Sequence, residues 1–160
     1  MQKTLVIIKP DAVQRRLIGK IINRFEEKGL EIIGLKMTVI SEELAKEHYS
    51  VHDGKDYYEK LVEFMTSGPV VMMVLRGKKA IEVTRKLMGS TFGYEASPGT
   101  IRGDFAMIKR FNLLHGSDSE ESADREISLF FENGDLIQNK QSGLKWIYDM
   151  SCNPTDEDSF

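Results

Sequence analysis

Cysteine is nearly missing from this chain. Cys152 stands alone among 160 residues, which excludes a disulfide framework and a thiol-rich metal site. Long apolar runs are missing too: the longest, residues 5–8 and 69–75, fall far short of the roughly twenty residues a membrane helix needs. The start Met1-Gln2-Lys3-Thr4 runs straight into a strand pattern, with no charged region, apolar core and cleavage site of a secretory signal, so a cytoplasmic location is expected. A formal net charge of -3 gives no overall attraction to polyanions and argues against nucleic acid as a partner, although Arg15-Arg16 and Lys78-Lys79 suit single phosphates. No G-x-x-x-x-G-K-[ST] loop occurs, nor a G-x-G-x-x-G fingerprint after the first strand, an H-E-x-x-H or C-x-x-C pair or a G-x-S-x-G elbow. The common nucleotide-loop, zinc and serine-hydrolase chemistries are thereby removed.

What is present is an ordinary globular composition, 29% charged and 41% hydrophobic, over a length that buries roughly two thirds of the unfolded surface around one core. Residues 3–9 read as a buried strand stopped by Pro10-Asp11. Asp11 with Gln14 fits a capping box, and Leu17, Ile18, Ile21, Ile22 and Phe25 recur at helical spacing until Gly29. Residues 30–40 read as a second strand, and Ser41-Glu42-Glu43 opens a short helix through Leu44, Ala45 and His48. Tyr57, Leu61, Phe64 and Met65 predict a helix with one buried face, ended by Ser67-Gly68-Pro69. A strand over 70–75 follows, then a helical stripe of Ala80, Thr84, Leu87 and Met88 ended by Gly89. Residues 90–103 show no period and read as a functional loop. Residues 105–114 read as a fourth strand, and Ser117 with Glu120 as a second capping box for a helix through Phe130. The order is strand, helix, strand, strand, helix, strand, a ferredoxin-like α+β plan (βαββαβ) with a four-stranded antiparallel sheet, helices on one face, extra short helices and a C-terminal extension. One domain spans residues 1–151, and the acidic stretch 152–160 reads as a mobile tail.

The chemistry concentrates in Asn112-Leu113-Leu114-His115-Gly116-Ser117-Asp118-Ser119. Gly116 removes bulk beside the imidazole, Ser117 and Ser119 supply hydroxyls, and Asp118 supplies a carboxylate suited to a metal ion or its water shell. Lys9, Arg85 and Arg102 sit at element ends. Each singly also fits a bland role, as a solvated strand end, an exposed helix charge and a partner for Asp104; together they suit polyphosphate. Glu126 lies beside the apolar stripe of the last helix, where it either holds the imidazole or pairs at the surface.

The blocks Ile8-Lys9-Pro10-Asp11, His48-Tyr49, Ser67-Gly68-Pro69-Val70, Pro98-Gly99-Thr100-Ile101-Arg102-Gly103-Asp104-Phe105, the His115 octet, and Ser122-Ala123 through Glu126-Ile127 resemble, in order and spacing, those of nucleoside diphosphate kinases. The resemblance implies ping-pong phosphoryl transfer from ATP to nucleoside diphosphates through a phosphohistidine, with broad base and sugar tolerance. It implies His115 as nucleophile, positioned by Glu126 and supported by Ser117. It implies Lys9, Tyr49 and Asn112 at the transferred phosphate or ribose, Arg85, Thr91 and Arg102 on the outer phosphates, and Tyr57 with Leu61 at the base. Mg2+ would enter chiefly on the nucleotide phosphates, with Asp118 reaching it through water, and the protein would be a homo-oligomer, a hexamer ahead of a tetramer. Three departures stand out: Phe92-Gly93-Tyr94 where the family has an asparagine-proline pair, Tyr57 where phenylalanine is common, and Lys109 where a small apolar residue often lines the base.

Overall fold

Two strands of the sheet carry unbroken apolar sequence, and the topology explains why. The computed structural model describes residues 1–132, 134–137 and 146–148; Cys152 and the acidic stretch 152–160 lie outside them. The sheet order is β2-β3-β1-β4, with β1 Gln2–Ile8, β2 Glu31–Thr38, β3 Val70–Gly77 and β4 Leu114–Gly116, all paired antiparallel. β1 and β3 are interior and covered on both faces, so both alternating residue sets must be apolar. One set, Leu5, Ile7, Met72 and Val74, joins a core with Tyr58, Phe64, Met65, Ile127 and Phe130. The other, Val6, Ile8, Val71, Met73 and Leu75, packs with Ile21, Phe25, Ala80 and Met88.

Helices therefore cover both faces, which corrects the one-face expectation. α1 Pro10–Gln14, α2 Ile18–Glu27, α5 Ala80–Met88 and α6 Ile101–Phe105 contribute to the second core, while α3 Glu42–His48, α4 Tyr58–Thr66 and α7 Glu120–Phe130 enclose the first. The strand-helix-strand-strand-helix-strand frame stands, and the helices expected to be minor close its other side.

Local details differ where tertiary partners win. The first helical stretch splits into α1 and α2 because Arg16 adopts φ 57. Gly29, at φ 90, ends α2 as expected, with Leu30 N–H donating to Phe25 O at 3.1 Å, a glycine-closed helix end. Neither expected capping box forms. Lys9 precedes α1 without a side-chain cap, and Ser119, not Ser117, caps α7 by accepting from Ser122 N–H at 3.1 Å. The loop expected over 90–103 contains a 3-10 turn at Gly93–Glu95 and the start of α6. The long fourth strand is also corrected: residues 101–105 are helical and only Leu114–Gly116 pairs with β1.

Candidate active site

His115 opposes Ile7 in the β1–β4 register, so its side chain emerges on the sheet face covered by α3 and α7. α7 delivers Glu126, whose Oε2 lies 3.0 Å from His115 Nε2. The same oxygen accepts from Ser117 Oγ at 2.8 Å, and Ser117 Oγ in turn accepts from Leu5 N–H of β1 at 3.1 Å. Burial would raise the Glu126 carboxyl, but the hydrogen bonds with His115 and Ser117 hold it below its ordinary value. An ionised Glu126 can only accept. It thus fixes the proton of a neutral imidazole on Nε2 and leaves the lone pair on Nδ1.

The ring is walled by aromatic neighbours. His48 meets it edge-on at 4.7 Å between centroids and Tyr49 at 6.2 Å. His48 is 2% exposed, and burial, aided by His115, pushes its pKa down to about 3, so it is a neutral spacer at any working pH. Neither its ring nitrogens nor Tyr49 Oη finds a partner among the described residues; burial, then Glu126, holds the Tyr49 phenol well above its ordinary value.

A cavity of about 770 Å³ opens in front of the ring. Lys9, Tyr49, Tyr57, Leu61, Arg85, Thr91, Arg102, Asn112, Asp118 and Glu126 all line it with His115, and Ser117 alone of the expected residues stays behind the wall. Lys9 Nζ donates to Asn112 Oδ1 at 2.7 Å, and Asn112 Nδ2 donates to Thr91 O at 3.3 Å. Arg85 reaches Gly116 O at 3.3 Å. Arg102 is not the partner of Asp104, which pairs with Arg24 at 2.8 Å. Its guanidinium donates to Asn112 O, Gly89 O and Leu114 O at 3.1, 3.0 and 2.8 Å, tying the segment before His115 to the end of α5 while leaving further N–H groups of the fork for a ligand. Burial, and then Arg85, lower Arg102 to about 10, so it stays charged.

At the other end, Tyr57 precedes α4 and is 45% exposed. The buried face of α4 is Tyr58, Val62, Phe64 and Met65, so Tyr57 belongs to the cavity wall and not to the core stripe expected of it, while Leu61 lines the cavity and also packs, half-buried, against the core. Lys109 holds its ammonium 5.6 Å from the Tyr57 ring centroid and 5.4 Å from that of Phe92. His48, His52, Lys60, Phe64, Met88, Arg110, Ser122 and Arg125 also line the cavity and were given no role in the site from sequence. The spacing of His48 and His52 around Tyr49, one helical turn apart, was the available signal.

Two donor sets bear on metal binding. His48, His115 and Glu126 form a cluster with ligand atoms within 4.8 Å of one another, but it offers two nitrogens, whereas magnesium takes oxygen ligands. Asp118 offers such oxygens beside the cavity, and hydrogen bonds from Ser122 and Ser119, with Arg85 nearby, keep it ionised below its ordinary range despite partial burial.

The likeness to known proteins covers both ends of this site. The family model described as nucleoside diphosphate kinase matches residues 2–136. The nucleoside diphosphate kinase of Bacillus licheniformis is 55% identical over 148 residues, 92% of this chain and 100% of that one; that of Methanocaldococcus jannaschii is 53% identical over 136 residues, 85% of this chain and 97% of that one. Among solved structures, a halophilic nucleoside diphosphate kinase from Halobacterium salinarum in complex with CDP superimposes with a TM-score of 0.90 at 47% identity, covering 92% of this chain and 98% of that one. With the family model, the sequence identity and the fold in agreement, the chain belongs to the nucleoside diphosphate kinase family.

Proposed function

We propose that this chain transfers the γ-phosphoryl group of ATP to nucleoside diphosphates by a ping-pong reaction through a phosphohistidine at His115. The observation that carries the reading is the Glu126–His115 contact, 3.0 Å at Nε2, which leaves Nδ1 as the nucleophile in a cavity lined by Lys9, Arg85 and Arg102. Nδ1 attacks the γ-phosphorus, the bond from that phosphorus to the bridging oxygen of ADP breaks, and ADP leaves with the bond's electrons. A terminal oxygen of the next diphosphate then attacks the phosphohistidine and the P–N bond breaks, restoring the imidazole. Nε2 keeps its proton throughout and donates it in the hydrogen bond to Glu126. Such transfer asks for in-line positioning and charge stabilisation, which a fixed imidazole amid three cations supplies.

The nucleotide runs from that cationic end, with Tyr49, Thr91 and Asn112 beside the phosphates and ribose, to the exposed face of Tyr57 with Leu61. Stacking uses a face common to all bases and needs no hydrogen-bond code, which supports broad base tolerance, and we extend that tolerance to ribose and deoxyribose. The solved relative described as a complex with CDP fits a nucleotide cleft here. Asp118 would hold Mg2+ through water, the ion entering chiefly with the nucleotide, and when bound it would offset phosphate charge. Residues 1–151 would act as one catalytic domain working on the cytoplasmic nucleotide pool, and the protein self-associates as a homo-oligomer, a hexamer ahead of a tetramer.

The test is incubation with γ-labelled ATP and magnesium, followed by unlabelled GDP. An acid-labile, alkali-stable label on the protein, absent in His115→Ala and chased onto GDP, is expected. Retained turnover in His115→Ala sinks the assignment, and nucleotide binding without label in the unaltered protein leaves a binding module.

A further inference from the structure

We infer that His48, His115 and Glu126 form a site for a divalent transition ion of the zinc class, and that filling it shuts phosphotransfer down. The binding stands on the donor set by itself, whereas the shutdown rests on His115 as the proposed nucleophile. One ligand atom from each of the three residues lies within 4.8 Å of the others. A tetrahedral zinc ion, with bonds of about 2.0–2.1 Å, sets its ligands roughly 3.3 Å apart. His115 Nε2 and Glu126 Oε2 are already 3.0 Å apart. The larger adjustment falls to His48, an inward swing of about 1.5 Å at most.

His48 can make that swing without breaking a hydrogen bond. Its ring is buried, and neither nitrogen has a hydrogen-bond partner among the described residues, which is uncommon for a buried polar side chain and calls for a reason. Two imidazoles and one carboxylate are the donor set of an open zinc site, and imidazole nitrogen favours transition ions over magnesium, which takes oxygen. All three residues line the cavity, so an ion has a route in and water can fill its fourth position. The consequence for the ring follows from its two nitrogens. A neutral imidazole carries one proton and one lone pair in the ring plane. An ion on Nε2 takes the lone pair there once the proton has moved, by way of solvent, to Nδ1, which then has none to offer phosphorus. An ion on Nδ1 occupies the nucleophile directly. Either mode also replaces the Nε2–H contact with Glu126 that holds the ring.

Calorimetry with Zn2+ on the metal-free protein, without nucleotide or magnesium, is expected to find one ion per chain. Co2+ in its place should give the visible absorption bands of a tetrahedral ion, bleached by Zn2+. The chain has three histidines and one cysteine, so His52→Gln and Cys152→Ser are the controls for adventitious binding. Zinc affinity should persist in both and fall by about tenfold or more in His48→Phe and in Glu126→Gln. X-ray absorption at the zinc edge of the His52→Gln protein, in which every proposed ligand is intact, should show two imidazoles. Label uptake from γ-labelled ATP in excess magnesium, with free Zn2+ buffered across the calorimetric Kd, should fall by about tenfold or more as the site fills. Missing Co2+ bands, binding that follows His52 or Cys152, fewer than two imidazoles at the edge, or undiminished label on the filled protein each overturn the inference. If the unaltered protein takes up no label even without zinc, the phosphotransfer reading fails by itself, and calorimetry and the zinc edge still decide the metal site.

Discussion

Lys9 lies 9% exposed between the Arg102 guanidinium and Asp11, and burial followed by Arg102 bring its ammonium down from 10.5 to about 8. The consequences for folding and for binding have opposite signs. Between pH 8 and 10.5 the unfolded chain retains a proton that the folded chain has released, so this group's contribution to stability rises with pH through that window. The charge it offers to a phosphate is lost over the same interval. We therefore expect kcat/KM for nucleoside diphosphates to decline above about pH 8, toward tenfold per pH unit, since that parameter reports groups of the free enzyme. A profile measured from pH 6.5 to 9.5 that stays flat at the alkaline end removes Lys9 from the phosphate site. In the neighbouring His115–Glu126–Ser117 chain, the pairing was legible through the resemblance to nucleoside diphosphate kinases, whereas the tie of Ser117 to the central strand was not. Ser117 looked like a helix cap because its distance from Glu120 is right for one; in the fold its hydroxyl is drawn to Glu126 and to Leu5 of the central strand.

At the scale of elements, the segment before β4 shows what pattern reading misses and what it costs to hold in place. Residues 105–114 are apolar enough to be a strand, yet Leu113 sits at φ 70, in the left-handed region that a bulky residue adopts at a price of roughly 1–3 kcal/mol. Two contacts from the start of the chain hold it. Leu113 N–H donates to Asp11 Oδ2 at 3.1 Å and Leu113 O accepts from Lys9 N–H at 2.8 Å. Asp11 thus serves a turn about a hundred residues away and not the helix cap that its spacing from Gln14 suggests, a choice no local rule can foresee. Asp11→Ala is expected to lower stability by about 1–3 kcal/mol and to depress kcat/KM, because Asn112 and the Arg102 acceptors flank the same turn. Asp11→Asn keeps an acceptor oxygen and should recover most of both. Urea denaturation with initial rates on the two variants checks this, and equal damage from both substitutions would point to the charge instead. The interior strands were legible because burial on two faces leaves an unbroken apolar run. The faces of α4 were not, since Tyr57, which lines the cavity, and Tyr58, which fills the core, are the same residue type one position apart.

Over the whole molecule, no described helix is long and apolar enough to cross a membrane, yet apolar surface is exposed along one edge of the sheet. β2 is an edge strand, and Leu35, Met37 and Val39, on alternate positions, are 53%, 58% and 62% exposed. Leu35 pairs with Met73 and Met37 with Val71, so both project on the face that the second core occupies and yet stay more than half exposed. An edge strand with an apolar stripe is a template for a second copy of itself, and a two-fold contact uses the same patch on both chains. This is where the proposed homo-oligomer would be built. Size-exclusion chromatography with light scattering should find the unaltered protein as an oligomer and the Leu35→Glu, Met37→Glu variant as a smaller species with unchanged circular dichroism. A monomer at micromolar concentration in the unaltered protein ends the self-association proposal, and a variant that stays assembled moves the interface off β2. The residues that carry the proposed chemistry, among them Lys9, Arg85, Arg102, His115 and Glu126, line the cavity from this chain. The dissociated variant should accordingly lose thermal stability, through the apolar area returned to water, while kcat falls by no more than about tenfold; a variant that dissociates and loses turnover outright would instead mean that the neighbouring copy holds the cavity in its working shape.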